Sequence, residues 1–174
     1  MSRHSATRRT FPRSHLPTFP HHYDPLVTQP IPESASPAPA IRGVVETCLY
    51  VADLDASRAF YEGVLGLRLH DAGERLVSLM VAPRQMLLLF RRQGSLKPIP
   101  TAGGTIPPVD GAGPTHLGLS IDADQLDAWR FRLQAAHVAI ESEVTWPRGG
   151  HSLYFRDPDG NLVELLTPGV WPVY

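Results

Sequence analysis

The sequence predicts an α+β fold: two βαβββ modules forming one curved mixed β-sheet cavity. Three observations carry this. A strand, helix, three-strand pattern runs through residues 41–91 and returns over 115–166. Within the strands, apolar and polar residues alternate, while between them lie stretches with helical spacing. The second copy ends on two apolar runs flanking Asp157-Pro158-Asp159-Gly160. There proline presets one turn dihedral and glycine supplies the left-handed one, as a tight hairpin requires.

A chain of 174 residues, 43% hydrophobic and 19% charged, has the length and composition of one ordinary domain with a core. The formal net charge of -1 gives no electrostatic case for nucleic acid or a membrane surface as partner. No apolar run approaches the roughly 20 residues that span a bilayer. The single cysteine, Cys48, excludes an internal disulfide and fits a reducing compartment, so a cytoplasmic location is expected.

Residues 1–40 carry eight prolines from Pro12 to Pro39 and no apolar periodicity, and are expected to be a disordered tail before a domain over 41–174. Residues 44–51 read as a strand with Val45, Thr47, Leu49 and Val51 on one face and Glu46, Cys48 and Tyr50 on the other. A helix follows, capped by Asp53 or Asp55, with Leu54, Ala59, Phe60, Val64 and Leu65 at helical intervals and Gly66 placed to end it. Residues 67–70, 76–81 and 85–91 complete the first module as strands. The stretch 92–114, rich in Gly, Pro and Thr, is a linker or a loop over a site. In the second module, 115–121 is a strand, 123–136 a helix capped by Asp122, and 138–144, 152–156 and 162–166 are strands.

A helix covering one face of each sheet would take Val45, Leu49, Leu117, Leu119, Val163 and Leu165 beneath it. Glu46, His116 and Glu164 then fall on the opposite face, towards a cavity. Gly118 and Ser120 share the face of His116 and leave room for a ligand. A carboxylate in the middle of a buried strand, such as Glu164, is costly unless paired or bound to a metal.

Over residues 41–168 the chain resembles the vicinal oxygen chelate superfamily. The likeness rests on Val51-Ala52-Asp53-Leu54, Phe60-Tyr61, Val64-Leu65-Gly66-Leu67, Thr115-His116-Leu117-Gly118 and the hairpin from Ser152 to Leu166. That superfamily includes glyoxalase I, extradiol ring-cleaving dioxygenases, fosfomycin-resistance thiol transferases, methylmalonyl-CoA epimerase and bleomycin-binding proteins. The resemblance implies metal-ligand positions on the first and fourth strands of each module: Glu46 and Leu88, then His116 and Glu164. Leucine cannot ligate, so three ligands are implied. Glyoxalase I and the epimerase use the position of Leu88, which argues against both. Ring-cleaving dioxygenases and fosfomycin transferases use the positions of Glu46, His116 and Glu164, normally with histidine at the first.

Two carboxylates and an imidazole form a hard donor set that suits Fe2+ or Mn2+, with Mg2+, Zn2+ and Ni2+ as alternatives. Tyr154 alternates with Leu153 and Phe155, as Ser152 and Arg156 do, and is expected to face the cavity; ten residues before Glu164, it stands where the resemblance to ring-cleaving dioxygenases implies a catalytic hydrogen-bonding tyrosine. His151 is a candidate acid or base, and Glu46 an alternative general base. The implied function is a divalent-metal enzyme acting on a small substrate chelated through adjacent oxygens, with dioxygenase-like ligand positions. A glyoxalase-type lyase or isomerase, a thiol transferase and a non-catalytic resistance protein binding a small molecule are the alternatives. A homodimer is expected, with Val170-Trp171-Pro172-Val173-Tyr174 packing across a subunit or over the domain.

Overall fold

The computed structural model describes residues 39–174, so the tail expected over 1–40 falls, but for its last two residues, outside the described residues. The first module runs β1 (Glu46–Val51), α1 (Leu54–Gly63), β2 (Arg68–Ala72), β3 (Leu76–Ala82) and β4 (Gln85–Arg91). After the hairpin β5 (Ile99–Thr101) and β6 (Gly104–Ile106), the second runs β7 (His116–Ser120), α2 (Leu126–Ala135), β8 (Ser142–Thr145), β9 (His151–Arg156) and β10 (Leu162–Leu166). Each module is a four-stranded mixed sheet, ordered β1-β4-β3-β2 and β7-β10-β9-β8, in which the first strand pairs in parallel with the fourth. A parallel partner needs a crossover, and α1 and α2 supply it.

Local chemistry sets the boundaries. Asp53 caps α1 by accepting from the backbone N–H groups of Asp55 and Ala56, at 2.9 and 3.1 Å. Gly66, at φ +72°, turns the chain out of the helix. Its buried face is Leu54, Ser57 and Tyr61, whereas Ala59 is exposed. Asp122 makes no capping hydrogen bond: a 3-10 turn over Ala123–Gln125 intervenes, and α2 begins at Leu126. The strand expected over 138–144 is confined to Ser142–Thr145. His137 at φ +56° and the Val138 N–H bonded to the Leu133 carbonyl keep the chain beside the helix end, with Val138 and Ile140 packed irregularly on the core. β1 starts two residues late, and Val45, expected beneath the helix, is 65% exposed. The 92–114 stretch, read as structureless, contains the β5–β6 hairpin.

One hydrophobic core joins both modules, from Leu49, Val51 and Tyr61 to Leu117, Phe155 and Val163. The turn between β9 and β10 fastens them together. Asp157, buried, accepts from the Tyr61 hydroxyl at 2.9 Å, the Asn161 amide side chain at 2.7 Å and the backbone N–H groups of Asp159 and Asn161. Asp159 accepts from the Ala52 N–H at 2.8 Å and the Ser57 hydroxyl at 3.2 Å, and pairs with Arg92 at 3.1 Å. The Asn161 side-chain oxygen Oδ1 accepts from the N–H and hydroxyl of Thr115, which holds the start of β7. A hairpin legible as a turn in sequence is thus also the clasp that positions the neighbouring strands.

Candidate functional site

The parallel registers make the two modules directly comparable. In the first, Glu46 stands opposite Met86 and Cys48 opposite Leu88. In the second, His116 stands opposite Leu162 and Gly118 opposite Glu164. Glu46 therefore corresponds to His116, Cys48 to Gly118 and Leu88 to Glu164. The first module has a leucine where the second has its buried carboxylate.

Glu164 is 6% exposed, and every contact of its carboxylate is accounted for. Oε1 accepts from the Ser152 hydroxyl at 2.5 Å and the Tyr154 hydroxyl at 2.8 Å. Oε2 lies 3.1 Å from His116 Nε2. These groups meet because the antiparallel register sets Glu164 against Tyr154 and Leu166 against Ser152, all on one face. Ser152 is itself held, since the Trp146 indole N–H donates to its hydroxyl at 2.8 Å. The His116 Nδ1 is 3.2 Å from the Leu162 carbonyl. Both ring nitrogens thus face oxygen acceptors, and the contact between Nε2 and Glu164 Oε2 is one that a proton or a cation bridges. Burial, with the bond to Glu164, raises the Tyr154 hydroxyl above its ordinary value, so it remains a donor at neutral pH.

The pair opens on a cavity of about 550 Å3 walled by Val81, Leu119, Leu166, Trp171, Val173 and Tyr174. Gly118 leaves the space in front of the carboxylate: a Cβ there would sit 3.8 Å from Glu164 Oε2 and 3.3 Å from Leu166 Cδ2. Glu46 lines an adjoining cavity that shares Val81, Gln85, Gly118 and Leu119 with the first. Among the described residues, no three His, Cys, Asp or Glu side chains gather closely enough to hold a metal ion. One chain therefore brings together His116, Glu164 and Tyr154, but not Glu46. His151 has partners of its own: its ring bonds the Thr145 hydroxyl and its backbone N–H donates to the Thr167 hydroxyl. Arg156 pairs with Glu141 rather than facing the cavity. Partial desolvation of the otherwise exposed Cys48 thiol, and then the neighbouring Glu46 carboxylate, push it up from its ordinary value.

Sequence reasoning did not single out Trp146 as the partner of Ser152, nor the 171–174 segment as cavity wall. The indole contact spans a turn whose geometry has no periodic signal. The wall depends on a chain reversal at Gly169, φ +98°, visible in sequence merely as a glycine.

Two mixed sheets with a carboxylate–imidazole pair on the face away from the helices define the class of protein. Residues 43–165 match the model of the Glyoxalase/Bleomycin resistance protein/Dioxygenase superfamily, and the chain belongs to that family. Among solved structures, it is similar to a lactoylglutathione lyase from Agrobacterium tumefaciens, with 36% identity and a TM-score of 0.68 over 76% of this chain and 98% of that one. A glyoxalase/dioxygenase from Nostoc punctiforme shares 25% identity with a TM-score of 0.56, over 77% and 98% of the two chains. The metallothiol transferase FosB of Shouchella clausii (strain KSM-K16) is 44% identical over 57 residues, 30% of this chain and 38% of that protein. That match thus spans well under half of the transferase. No helix among the described residues is long and apolar enough to cross a membrane.

Proposed function

We propose that the chain is a divalent-metal enzyme acting on a small substrate that presents two adjacent oxygens. The observation that carries this reading is the Glu164 carboxylate. Ser152 and Tyr154 occupy Oε1, which leaves Oε2 beside His116 Nε2, facing a cavity opened by Gly118. A buried carboxylate oriented by neutral hydroxyls, next to an imidazole whose other nitrogen meets a carbonyl, fits the first and second shells of a metal site. The hard donors favour Fe2+ or Mn2+. When bound, the metal would supply Lewis-acid stabilisation of charge on the chelated oxygens.

The chain's own residues do the rest. His116 and Glu164 bind, Ser152 and Trp146 hold the carboxylate plane, and Tyr154 offers a protonated hydroxyl at the site edge. Glu46 is the third ligand, and because one chain does not gather it with the pair, it comes from a second copy. Val44 and Val45, 74% and 65% exposed beside Glu46, would be covered in such a dimer. His151 has no role in this reading. Leu88 sets the site apart from four-ligand isomerases and aligns it with ring-cleaving dioxygenases. The test is oxygen uptake by protein loaded with Fe2+ or Mn2+ and offered catechols. Stoichiometric uptake supports a dioxygenase, and none rejects it. The segment similar to the metallothiol transferase favours a second reading, transfer of a thiol to an epoxide, which thiol-dependent loss of epoxide would reveal.

The dimer claim has its own test. A Glu46→Ala chain mixed with a His116→Ala/Glu164→Ala chain should regain metal binding that neither has alone. Failure to regain it rejects the shared site.

A further inference from the structure

We infer that the cavity takes an uncharged substrate with an apolar body, and that residues 169–174 form its specificity wall. This deepens the reading above and rests on it for the chelating end of the substrate. Two observations carry it. Among the described residues, those lining the His116–Glu164 cavity and those lining the adjoining Glu46 cavity include no lysine or arginine. Arginines elsewhere on the second module and at the junction are already engaged. Arg148 donates to the Val170 and Gly169 carbonyls, Arg156 pairs with Glu141, and Arg92 with Asp159. An anionic group on the substrate would therefore meet two glutamates and an apolar wall with no lysine or arginine among the lining residues, while Arg68 lines a separate cavity and contacts the Met80 sulfur.

The second observation is that the wall is apolar, open and yet fixed. Trp171 is 62% and Val173 94% exposed, although both line the cavity. Their backbone is folded back on itself and fastened. The Gly169 N–H donates to the Tyr174 carbonyl at 2.8 Å, and the Tyr174 N–H to that of Trp171 at 3.2 Å. The Tyr174 hydroxyl donates to the Ile121 carbonyl at 3.0 Å, at the end of the β7 strand. Arg148 Nη2 holds the Val170 carbonyl at 2.6 Å from behind, and Gly150 is packed so closely that a Cβ there would lie 2.4 Å from the Val170 nitrogen. Exposed tryptophan and valine side chains held on a rigid loop beside a polar pair form a surface for an apolar ligand. At about 550 Å3 the cavity has the size of a small-molecule site.

A matched pair of probes tests this: tert-butylcatechol and protocatechuate, which share the same adjacent oxygens but carry an apolar group or a carboxylate. Both are titrated by tryptophan fluorescence and calorimetry into Mn2+-loaded and metal-free protein. The expected result is at least about tenfold tighter binding of tert-butylcatechol, from burial of its methyl groups. Trp171→Ala should weaken tert-butylcatechol about fivefold or more with metal content unchanged. Val173→Lys should raise protocatechuate affinity. Equal or tighter binding of protocatechuate by the natural chain, or binding of neither probe, overturns the inference. Selectivity retained without metal uptake fails the metal reading alone, whereas metal uptake without selectivity fails this inference alone.

Discussion

Replacing Tyr61 by phenylalanine isolates the clasp that joins the modules. The Tyr61 ring is fully buried and its hydroxyl donates to Asp157 at 2.9 Å. Phenylalanine keeps the ring, and Asp157 keeps three other donors, so what is lost is one hydrogen bond to a charged acceptor. Such a bond contributes about 2 kcal/mol. The pH dependence gives a second, independent readout. Burial first, then Asp157, pushes the hydroxyl far above its ordinary pKa. The folded state therefore keeps a proton that the unfolded chain gives up near pH 10. With fewer protons on the unfolded state, stability falls as pH rises above that point. At pH 11 the wild type should have lost about 1.4 kcal/mol through this group, a loss Tyr61→Phe cannot suffer. Urea unfolding should show a gap of about 2 kcal/mol between the two proteins at pH 7.5, shrinking to under 1 kcal/mol at pH 11. A neutral-pH gap below about 0.5 kcal/mol, or one constant from pH 8 to pH 11, would refute the clasp.

The site yields two further expectations. Ser152→Ala removes one of the two hydroxyls on Glu164 Oε1 and frees the carboxylate to turn. Mn2+ affinity, followed by electron paramagnetic resonance, should drop about tenfold or more while the unfolding midpoint moves little; an unchanged affinity would show that the hydroxyl does not orient the ligand. Gly118→Val projects methyl groups beyond a Cβ already 3.8 Å from Glu164 Oε2. Metal uptake should be abolished with a native circular dichroism spectrum, and full uptake would place the metal elsewhere.

The fold was legible because its signals are periodic. Alternation along 162–166 put Val163 and Leu165 in the core and turned Glu164 the other way, and the structure keeps that division. The repeat supplied the order of elements, and Asp53 the start of α1. What escaped depends on contacts between distant residues or on single dihedrals. Asp122 has the chemistry of a cap but precedes a 3-10 turn, and His137 bends the chain where alternation alone suggested a strand. Tyr61 and Ser57, not Ala59, face the core of α1, because the clasp from the other module gives their hydroxyls acceptors. At the site, strand alternation and the family resemblance pointed to Glu46, His116 and Glu164 as candidates, and the structure brings the last two together. Facing the same way on separate sheets does not bring side chains together, and the sequence carries no measure of that distance.

The most direct measurement is the metal content of protein purified without chelator and equilibrated with Mn2+. About one ion per chain is expected, absent from a folded His116→Ala/Glu164→Ala variant. A folded wild type that takes up none, or a double variant that retains its ion, would contradict a metal centre built on Glu164.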